Sequence, residues 1–367
     1  MSTPAPPRPV ITGWSAVSPH GLDAGALAEG LRARRATVAP VDAARWNVPA
    51  ARAHLVPGFE TREVLGKKGT RSMDRVTGLA VAAVGSLLDR PGAAKDSETG
   101  ERAALVLATS TGSALSMMDF TRSSLTGQRP YDVDPAVMPN AVMNCAAGQC
   151  AIWYGIKGPN TTLAGGRAAG LLALNYASRL LAAGRADTVL CAAAEEYSSA
   201  RYWLEKHSRG AEAPELPLGE GAAVLLVQPA DAVRPDRPAL AEVLAVRSRV
   251  ATGPRVRGAL EDCVQDALDA AAVRPEEVWA ASPSDAPGMA GHVEREVLAA
   301  MTGTEALDRV PAVGRLGDLS AASGSFQIAM VLATAADDPS AAGRAALATS
   351  VDRDGSLACA VLRLVGP

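Results

Sequence analysis

Apolar and polar residues alternate along this chain with two different periods. Short, almost continuous apolar runs predict strands at 9–13, 103–109, 188–194 and 221–227, the last three buried on both faces. Residues 73–90 place apolar side chains every three or four positions, which predicts a helix packed on the core. Together with a predicted helix at 24–34, this alternation indicates an α/β fold with mostly parallel, helix-covered sheets.

The same alternation resumes after a proline-bearing stretch, PADAVRPDRP, at residues 229–238. Strands are predicted at 240–246, 278–281, 345–350 and 357–365, and helices at 257–272, 293–301 and 325–335. A chain of 367 residues is long for one simple core. We therefore predict two halves, residues 1–235 and 236–367.

Residues 158–170 have the layout of a site that presents a nucleophile. They read as a turn, a short strand, a glycine corner and a helix that starts near Gly170. Small residues permit such a sharp turn, and the positive end of the helix would stabilise a thiolate placed there. The corner instead carries Arg167, whose side chain cannot act as a nucleophile.

Composition excludes several classes of function. The formal net charge of −3 and the lack of a basic stripe with aromatic residues argue against nucleic-acid binding. The five cysteines lie mostly in apolar runs without a metal-binding spacing, so we expect free thiols, no metal and no cofactor. No apolar run is long enough to cross a membrane, and the polar, proline-rich first ten residues lack the apolar core of a secretory signal. These features predict a cytoplasmic protein.

Four segments resemble one known family. They are VITGWSAVSPHG at 10–21, RSMDRVTGLAVAA at 71–83, the long block MPNAVMNCAAGQCAIWYGIKGPNTT at 138–162, and LPLGEGAAVLLV at 216–227. In motif and spacing they are similar to the β-ketoacyl synthases, and the similarity extends over nearly the whole chain. The resemblance implies a thiolase-like α/β fold with five layers, α-β-α-β-α, and two pseudo-repeated halves.

The family's catalytic residues are replaced in this chain. Its members use a cysteine nucleophile and two histidines, and the cysteine position falls on Arg167. The first histidine position falls on Pro283, or on Asp285 if two residues are missing, ahead of the matching helix residues Glu294 and Leu298. The second histidine position falls on Asp318 within GDLSAASG. The family's lysine position reads Val313, and its closing glycine-rich turn reads VDRDG at 351–355.

Simultaneous loss of these groups resembles the chain length factors of type II polyketide synthases. The resemblance implies a non-catalytic subunit that pairs with an active ketosynthase and shapes the tunnel in which a chain grows from carrier-protein-bound malonyl units. Such subunits commonly carry glutamine where this chain has Arg167, which suggests an outlying branch. The expected partners are the ketosynthase α subunit and an acyl carrier protein with its phosphopantetheine-bound chain.

The resemblance also implies where the tunnel and the carrier protein would be contacted. Ala114, Met117 and Thr121 fall on one face of the helix after residue 113, and Val137 would reach toward the partner. Small Ala114 and Thr121 leave the tunnel open and, with Arg167, favour a reduced or polyene chain. Carrier-protein docking is assigned to Lys68 and Arg71, with Lys67 and Arg75 as further candidates.

Alternatives remain open from the sequence. A buried Arg167 would need a counter-ion, and we hypothesise an ion pair with Asp318; Asp352, Asp354 and Glu195 are further candidates, and solvent contact is the alternative. The chain could also be a diverged condensing or acyl-transfer enzyme that uses Cys145, Cys150 or a serine, or a scaffold homodimer. His292 is expected to be a partly exposed residue at a helix start, and both cysteines are expected to be structural.

Overall fold

The computed structural model describes residues 8–90, 92–93, 95–209, 217–252 and 255–366, so most of the N-terminal tail and part of the predicted loop at 207–218 lie outside the described residues. The strands are β1 (Pro9–Val17), β2 (Ala39–Pro40), β3 (Arg52–Ala53), β4 (Ala103–Ala108), β5 (Asn160–Leu163), β6 (Thr188–Glu195), β7 (Gly221–Pro229), β8 (Ala241–Val250), β9 (Val278–Ser282), β10 (Ala345–Val351) and β11 (Ser356–Leu364). The helices are α1 (Ala24–Arg32), α2 (Ala43–Trp46), α3 (Thr61–Val64), α4 (Arg75–Leu88), α5 (Lys95–Glu98), α6 (Ala114–Thr126), α7 (Cys145–Tyr154), α8 (Ala169–Ala182), α9 (Ser199–Arg209), α10 (Val256–Ala271), α11 (Met289–Thr302), α12 (Thr304–Asp308) and α13 (Ser323–Ala335).

Nine strands form one hydrogen-bonded array in the order β5-β4-β6-β7-β1-β8-β11-β10-β9. The prediction of mostly parallel sheets is wrong. The neighbours β4–β5, β4–β6 and β9–β10 are parallel, whereas β6–β7, β1–β7, β1–β8, β8–β11 and β10–β11 are antiparallel. The strand β10 returns directly as β11 through a tight turn, a connection that only antiparallel strands allow.

Alternate residues of each strand face different apolar clusters, and this separates the layers. In β4, Ala104 and Val106 face a central cluster that contains α8 and α13, whereas Leu105 and Leu107 face an outer cluster with α4 and α7. The strands β8, β10 and β11 likewise divide between the central cluster and a second outer cluster with α10 and α11. The resulting order of layers is α-β-α-β-α, as predicted.

The two central helices bring the site together. Gly170 on α8 lies so close to α13 that a Cβ there would be 3.0 Å from the backbone nitrogen of Ser325. Only a residue without a side chain permits this approach. The N-terminal ends of both helices therefore lie side by side, with Arg167 directly before α8 and Asp318 shortly before α13.

The helix α6 differs from the other long helices in its burial. Ala114 is its buried residue, and the remainder is half-buried or exposed in the isolated chain. No helix in the described ranges is both long and apolar enough to cross a membrane.

Candidate functional site

The predicted corner before α8 is present. The strand β5 ends at Leu163, residues Gly166–Ala168 form a short 3-10 turn, and α8 begins at Ala169. Gly166 adopts a φ of +55°, and a Cβ at this position would collide with the Asp352 carboxylate. Glycine is therefore required by both the backbone and the space.

Arg167 is enclosed and fully engaged. Its side chain is 7% exposed, and Nη2 donates to Asp318 Oδ1 at 2.7 Å. Nη1 donates to the Ser284 carbonyl oxygen at 3.4 Å and to Ser323 Oγ at 3.3 Å. The backbone nitrogen donates to Asp352 Oδ2 at 2.6 Å. The hypothesised ion pair between Arg167 and Asp318 is therefore confirmed, and little of the Arg167 side chain is left exposed to solvent.

Asp318 stays ionised because cations surround it. Burial by itself would raise the pKa of Asp318, but Arg167, Arg209 and Arg201 together lower that pKa well below its usual range. Arg209 pairs with Oδ2, and Arg201 Nη2 donates to the Asp318 carbonyl oxygen at 2.8 Å. Asp318 thus cannot deliver or accept a proton near neutral pH, whereas a histidine here could do both.

The two candidate positions for the first histidine, Pro283 and Asp285, differ in how close they are to Arg167. Pro283 is buried, and the neighbouring Ser284 carbonyl contacts Arg167. Asp285 is bound elsewhere: Oδ1 accepts from Arg295 Nη2 at 2.5 Å, and Oδ2 accepts from the Gly314 backbone nitrogen at 2.8 Å. The Asp285 carboxylate therefore serves a loop contact, and the structure brings Asp318 but not Asp285 onto Arg167.

A cavity of about 660 Å³ opens beside this pair. Ala114 and Ser110 line it, together with α9 and the turn between β10 and β11. At its mouth, Arg353 donates to Glu205 Oε2 at 3.4 Å, and Glu205 also pairs with Arg209 at 3.4 Å. A line of alternating charges therefore runs from the surface at Arg353 to the buried Arg167.

The predicted tunnel residues do not all line one cavity of this chain. Ala114 is buried in the wall of the 660 Å³ cavity. Met117 is half-buried, and Thr121 is exposed with its hydroxyl donating to the Met117 carbonyl oxygen at 2.8 Å. Val137 is 39% exposed and lines a separate pocket of about 310 Å³. Their roles in a shared tunnel stay a prediction.

The candidate docking residues are accessible in part. Lys67, Lys68 and Arg71 are exposed. Arg75 is instead held in an ion pair with the buried Glu220, to which Nη2 and Nε each donate at 2.6 Å. Arg75 is thus unavailable for docking, since its guanidinium holds the start of α4 against the core.

The thiols have no feature of nucleophiles. Burial and the nearby Asp74 raise the pKa of Cys145 to about 11, and burial raises the pKa of Cys150 further. Cys145 Sγ donates to Asn140 Oδ1 at 3.3 Å. His292 lies in the first turn of α11, is 66% exposed and contacts Glu296, as predicted. Within the described part of the chain, no group of three or more histidine, cysteine or acidic residues could hold a metal ion.

The contacts of several residues in this region were not predicted from the sequence, which identified Glu294 only as a matching helix residue. Glu294 is buried and accepts from the Ser284 backbone nitrogen at 3.0 Å, from Ser284 Oγ at 2.8 Å and from Thr349 Oγ1 at 2.7 Å. Burial raises its pKa to about 7. Arg201 and Arg209 lie on α9, which was not predicted at all. The sequence of α9 has a clear one-sided helical pattern but few apolar residues, so this short polar stretch was not recognised as a helix.

Comparisons with known proteins define the class. A family model described as the N-terminal domain of β-ketoacyl synthase matches residues 8–232, which is more than half of the chain. The chain therefore belongs to the β-ketoacyl synthase family, and the predicted thiolase-like fold is confirmed. It is similar to the 3-oxoacyl-[acyl-carrier-protein] synthase 2 of Vibrio cholerae, with 27% identity over 193 residues, and to that of Vibrio harveyi, with 29% identity over 196 residues. Each match covers 52% of this chain, and the chain spans about 46% of the length of each relative.

Similarity to solved structures indicates which group within the family this chain resembles. A chain of "The ishigamide ketosynthase/chain length factor" is 46% identical, with a TM-score of 0.94 and coverage of 98% of this chain and 100% of that chain. A chain of the AntDE:AntF complex, a type II polyketide synthase acyl carrier protein with its ketosynthase, has a TM-score of 0.77 at 18% identity, with 98% and 100% coverage; it shows the fold alone. The recognition of this chain as a homologue of the ketosynthase/chain length factor group is confirmed.

Proposed function

We propose that this chain is the non-catalytic chain length factor of a type II polyketide synthase. The observation that carries the proposal is the Arg167–Asp318 ion pair at 2.7 Å, which occupies the positions of the nucleophile and the second histidine. A guanidinium cannot form a thioester, and a carboxylate held ionised by cations cannot exchange protons as an imidazole does. Each buried charge also supplies a counter-ion for the other, so the loss of either one alone would leave a poorly compensated buried charge.

The missing chemistry would come from a ketosynthase partner. The exposed large apolar side chains between residues 115 and 152 suit a buried interface. They are Leu115, Met118, Leu125, Tyr131, Val137, Met138, Val142, Met143 and Ile152. The similar structure described as a ketosynthase/chain length factor supports a heterodimer of the same kind.

The proposal assigns chain-length control to the start of α6. Ala114, Met117 and Thr121 would face the growing chain, and Val137 would enter the partner's cavity. Because Ala114 and Thr121 are small, the tunnel would accept a long, unfolded chain, which favours a reduced or polyene product.

Lys68 and Arg71 would attract the acidic acyl carrier protein. We also propose the division into residues 1–235 and 236–367, which is supported by the separation of β1 and β4–β7 from β8–β11 in the nine-stranded array.

The alternative is a diverged enzyme that uses another nucleophile. The raised pKa of Cys145 argues against a thiolate there, and Cys150 is fully buried. A scaffold homodimer is the other alternative, and it would give no elongation with any partner.

An elongation assay tests the proposal. The chain is co-expressed with the ketosynthase encoded beside it, the complex is weighed by native mass spectrometry, and malonyl-carrier elongation is measured with and without this chain. The expected result is a one-to-one complex whose activity requires this chain and survives Arg167→Gln. Turnover by this chain alone would contradict the proposal.

A further inference from the structure

The strand β6 ends at Glu195, which is followed directly by Glu196, and the proposed chemistry uses neither of these buried acids. Glu195 and Glu196 are 1% and 2% exposed. Glu195 Oε1 accepts from the backbone nitrogen and from the hydroxyl of Ser110, both at 2.6 Å. Burial of two carboxylates costs free energy unless hydrogen bonds or ion pairs satisfy them.

Glu196 joins the starts of two helices. Its Oε1 accepts from Ser113 Oγ at 3.1 Å and from the Leu115 backbone nitrogen at 3.4 Å, both at the start of α6. Its Oε2 accepts from the Val76 backbone nitrogen at 3.3 Å, in the first turn of α4. The Leu115 and Val76 backbone nitrogens are among the donors that the start of a helix leaves without an intrahelical acceptor, so Glu196 satisfies one donor on each helix.

Glu196 thus connects α6, which is mostly outside the core, to α4, which is mostly buried in it. In α4, most side chains belong to the core, whereas in α6 only Ala114 is buried. Ser113 is also the N-cap of α6, since its Oγ accepts from the Ser116 backbone nitrogen at 3.1 Å. The position of Ala114, beside the cavity, therefore depends on the bonds that Ser113 and Leu115 make to Glu196.

Glu196 is also connected to the site of Arg167 and Asp318. Arg201 Nη1 donates to the Glu196 carbonyl oxygen at 2.7 Å, and Nη2 donates to the Asp318 carbonyl oxygen at 2.8 Å. The buried Arg201 therefore connects the residue that holds the start of α6, Glu196, with the segment that carries Asp318.

We infer that Glu196, acting through Ser113, is a positioning residue that sets where the first turn of α6 lies in the chain-length tunnel. It contacts neither substrate nor reacting atoms in this scheme. The inference rests on the proposed function, because it concerns the wall of the proposed tunnel. Its consequence is a change in the distribution of product lengths, with no defect in the chemical step.

The test uses the intact complex with the ketosynthase. Product lengths are measured for Glu196→Ala, Glu196→Gln and Ser113→Ala, with the complex quantified by native mass spectrometry. For Glu196→Ala, the ratio of the dominant length to the next should fall by up to about tenfold, the factor that corresponds to the loss of one hydrogen bond. Glu196→Gln retains an acceptor oxygen and should restore part of that ratio. Ser113→Ala, which leaves the bond to α4 intact, should lower it by a smaller factor.

Two controls make the outcome decisive. Ser178→Ala removes the same kind of hydroxyl from α8, where it donates to the Leu174 carbonyl oxygen of its own helix, outside residues 115–152, and should leave the distribution unchanged. Ala114→Trp, a direct obstruction, should shorten the product. If Ala114→Trp shortens the product while Glu196→Ala and Ser113→Ala leave it unchanged in intact complexes, the positioning role is wrong and the proposed function stands. If Glu196→Ala does not assemble, Ser113→Ala decides. An unchanged product with Ala114→Trp would overturn the proposed tunnel itself, and the inference with it.

Discussion

The guanidinium of Arg167 and the carboxylate of Asp318 form a buried ion pair across the central helical layer, with Nη2 and Oδ1 2.7 Å apart. One partner precedes α8 and the other precedes α13, so the pair joins segments 151 residues apart in sequence. This relationship explains why the two substitutions occur together. Either charge alone would be buried with incomplete compensation.

Removal of one member of the pair should destabilise the protein. We expect Arg167→Met to lower the free energy of unfolding by about 3 kcal/mol, because Asp318 keeps Arg209 and Arg201 nearby but loses the cation that pairs with Oδ1. The midpoint of thermal unfolding of the complex measures this. Arg353→Met is the matched control, since that side chain is 54% exposed and its loss should cost about 0.5 kcal/mol or less. Equal effects of the two variants would contradict the assigned importance of the buried pair.

Restoring the nucleophile alone should not restore catalysis. Arg167→Cys would place a thiol beside Asp318, whose negative charge raises the pKa of a thiol, and no histidine would be present to activate it. We expect no malonyl-carrier condensation by this variant without a ketosynthase partner. A condensation product from the isolated variant, measured by mass spectrometry, would show that the remaining residues can still catalyse the reaction.

The buried Glu294 should make stability depend on pH. Burial raises its pKa from 4.5 to about 7, so the native state binds this proton more tightly than the unfolded chain does. The resulting stability is fully present below pH about 4.5 and is lost as the pH rises through about 7. Glu294→Gln keeps an acceptor for Ser284 and Thr349 without the charge. Relative to the unmodified protein, we expect its thermal midpoint to rise with pH across this window.

A constant difference between the two midpoints at all pH values would exclude Glu294 as the titrating group. Glu196, whose pKa burial and the nearby Asp74 also raise to about 7, is unchanged in both proteins. Its contribution therefore cancels in the comparison.

The exposed apolar face should be needed for assembly. Leu125 is 80% exposed, and Leu125→Asp should weaken binding to the ketosynthase by roughly 100-fold if a carboxylate must be buried there. Val250→Asp is the control, because Val250 is 70% exposed on β8, outside residues 115–152. Titration by light scattering or calorimetry measures both. Comparable weakening by the two variants would place the interface elsewhere.

Most of the strands and long helices were predictable from the sequence, because burial of an element gives its apolar residues a regular spacing along the chain. The strand predicted at 103–109 is observed at Ala103–Ala108, and the helix predicted at 257–272 is observed at Val256–Ala271. Strand direction was not predictable, because the period of a buried strand is the same in parallel and antiparallel sheets. The two-residue strands β2 and β3 are too short to show a period, and α9 is too polar overall to stand out from a loop.

The candidate site was predictable in part. Arg167 and Asp318 were identified by position, and their pairing followed from the cost of a buried charge. The roles of Arg201, Arg209 and Glu196 depend on contacts between distant segments, as in the bond from Glu196 to Val76, and no local pattern encodes such contacts. The ion pair of Arg75, which was named as a residue that could assist docking, could not be predicted for the same reason, since its partner Glu220 is 145 residues away.

The most direct test of the central claim is acyl labelling of the assembled complex. The ketosynthase and this chain are incubated with a cysteine-directed acyl-chain probe, and each subunit is weighed as an intact protein. The account predicts one probe on the ketosynthase and none on this chain, with elongation still dependent on the presence of this chain. Labelling of this chain at Cys145, Cys150 or a serine, in step with product formation, would contradict it.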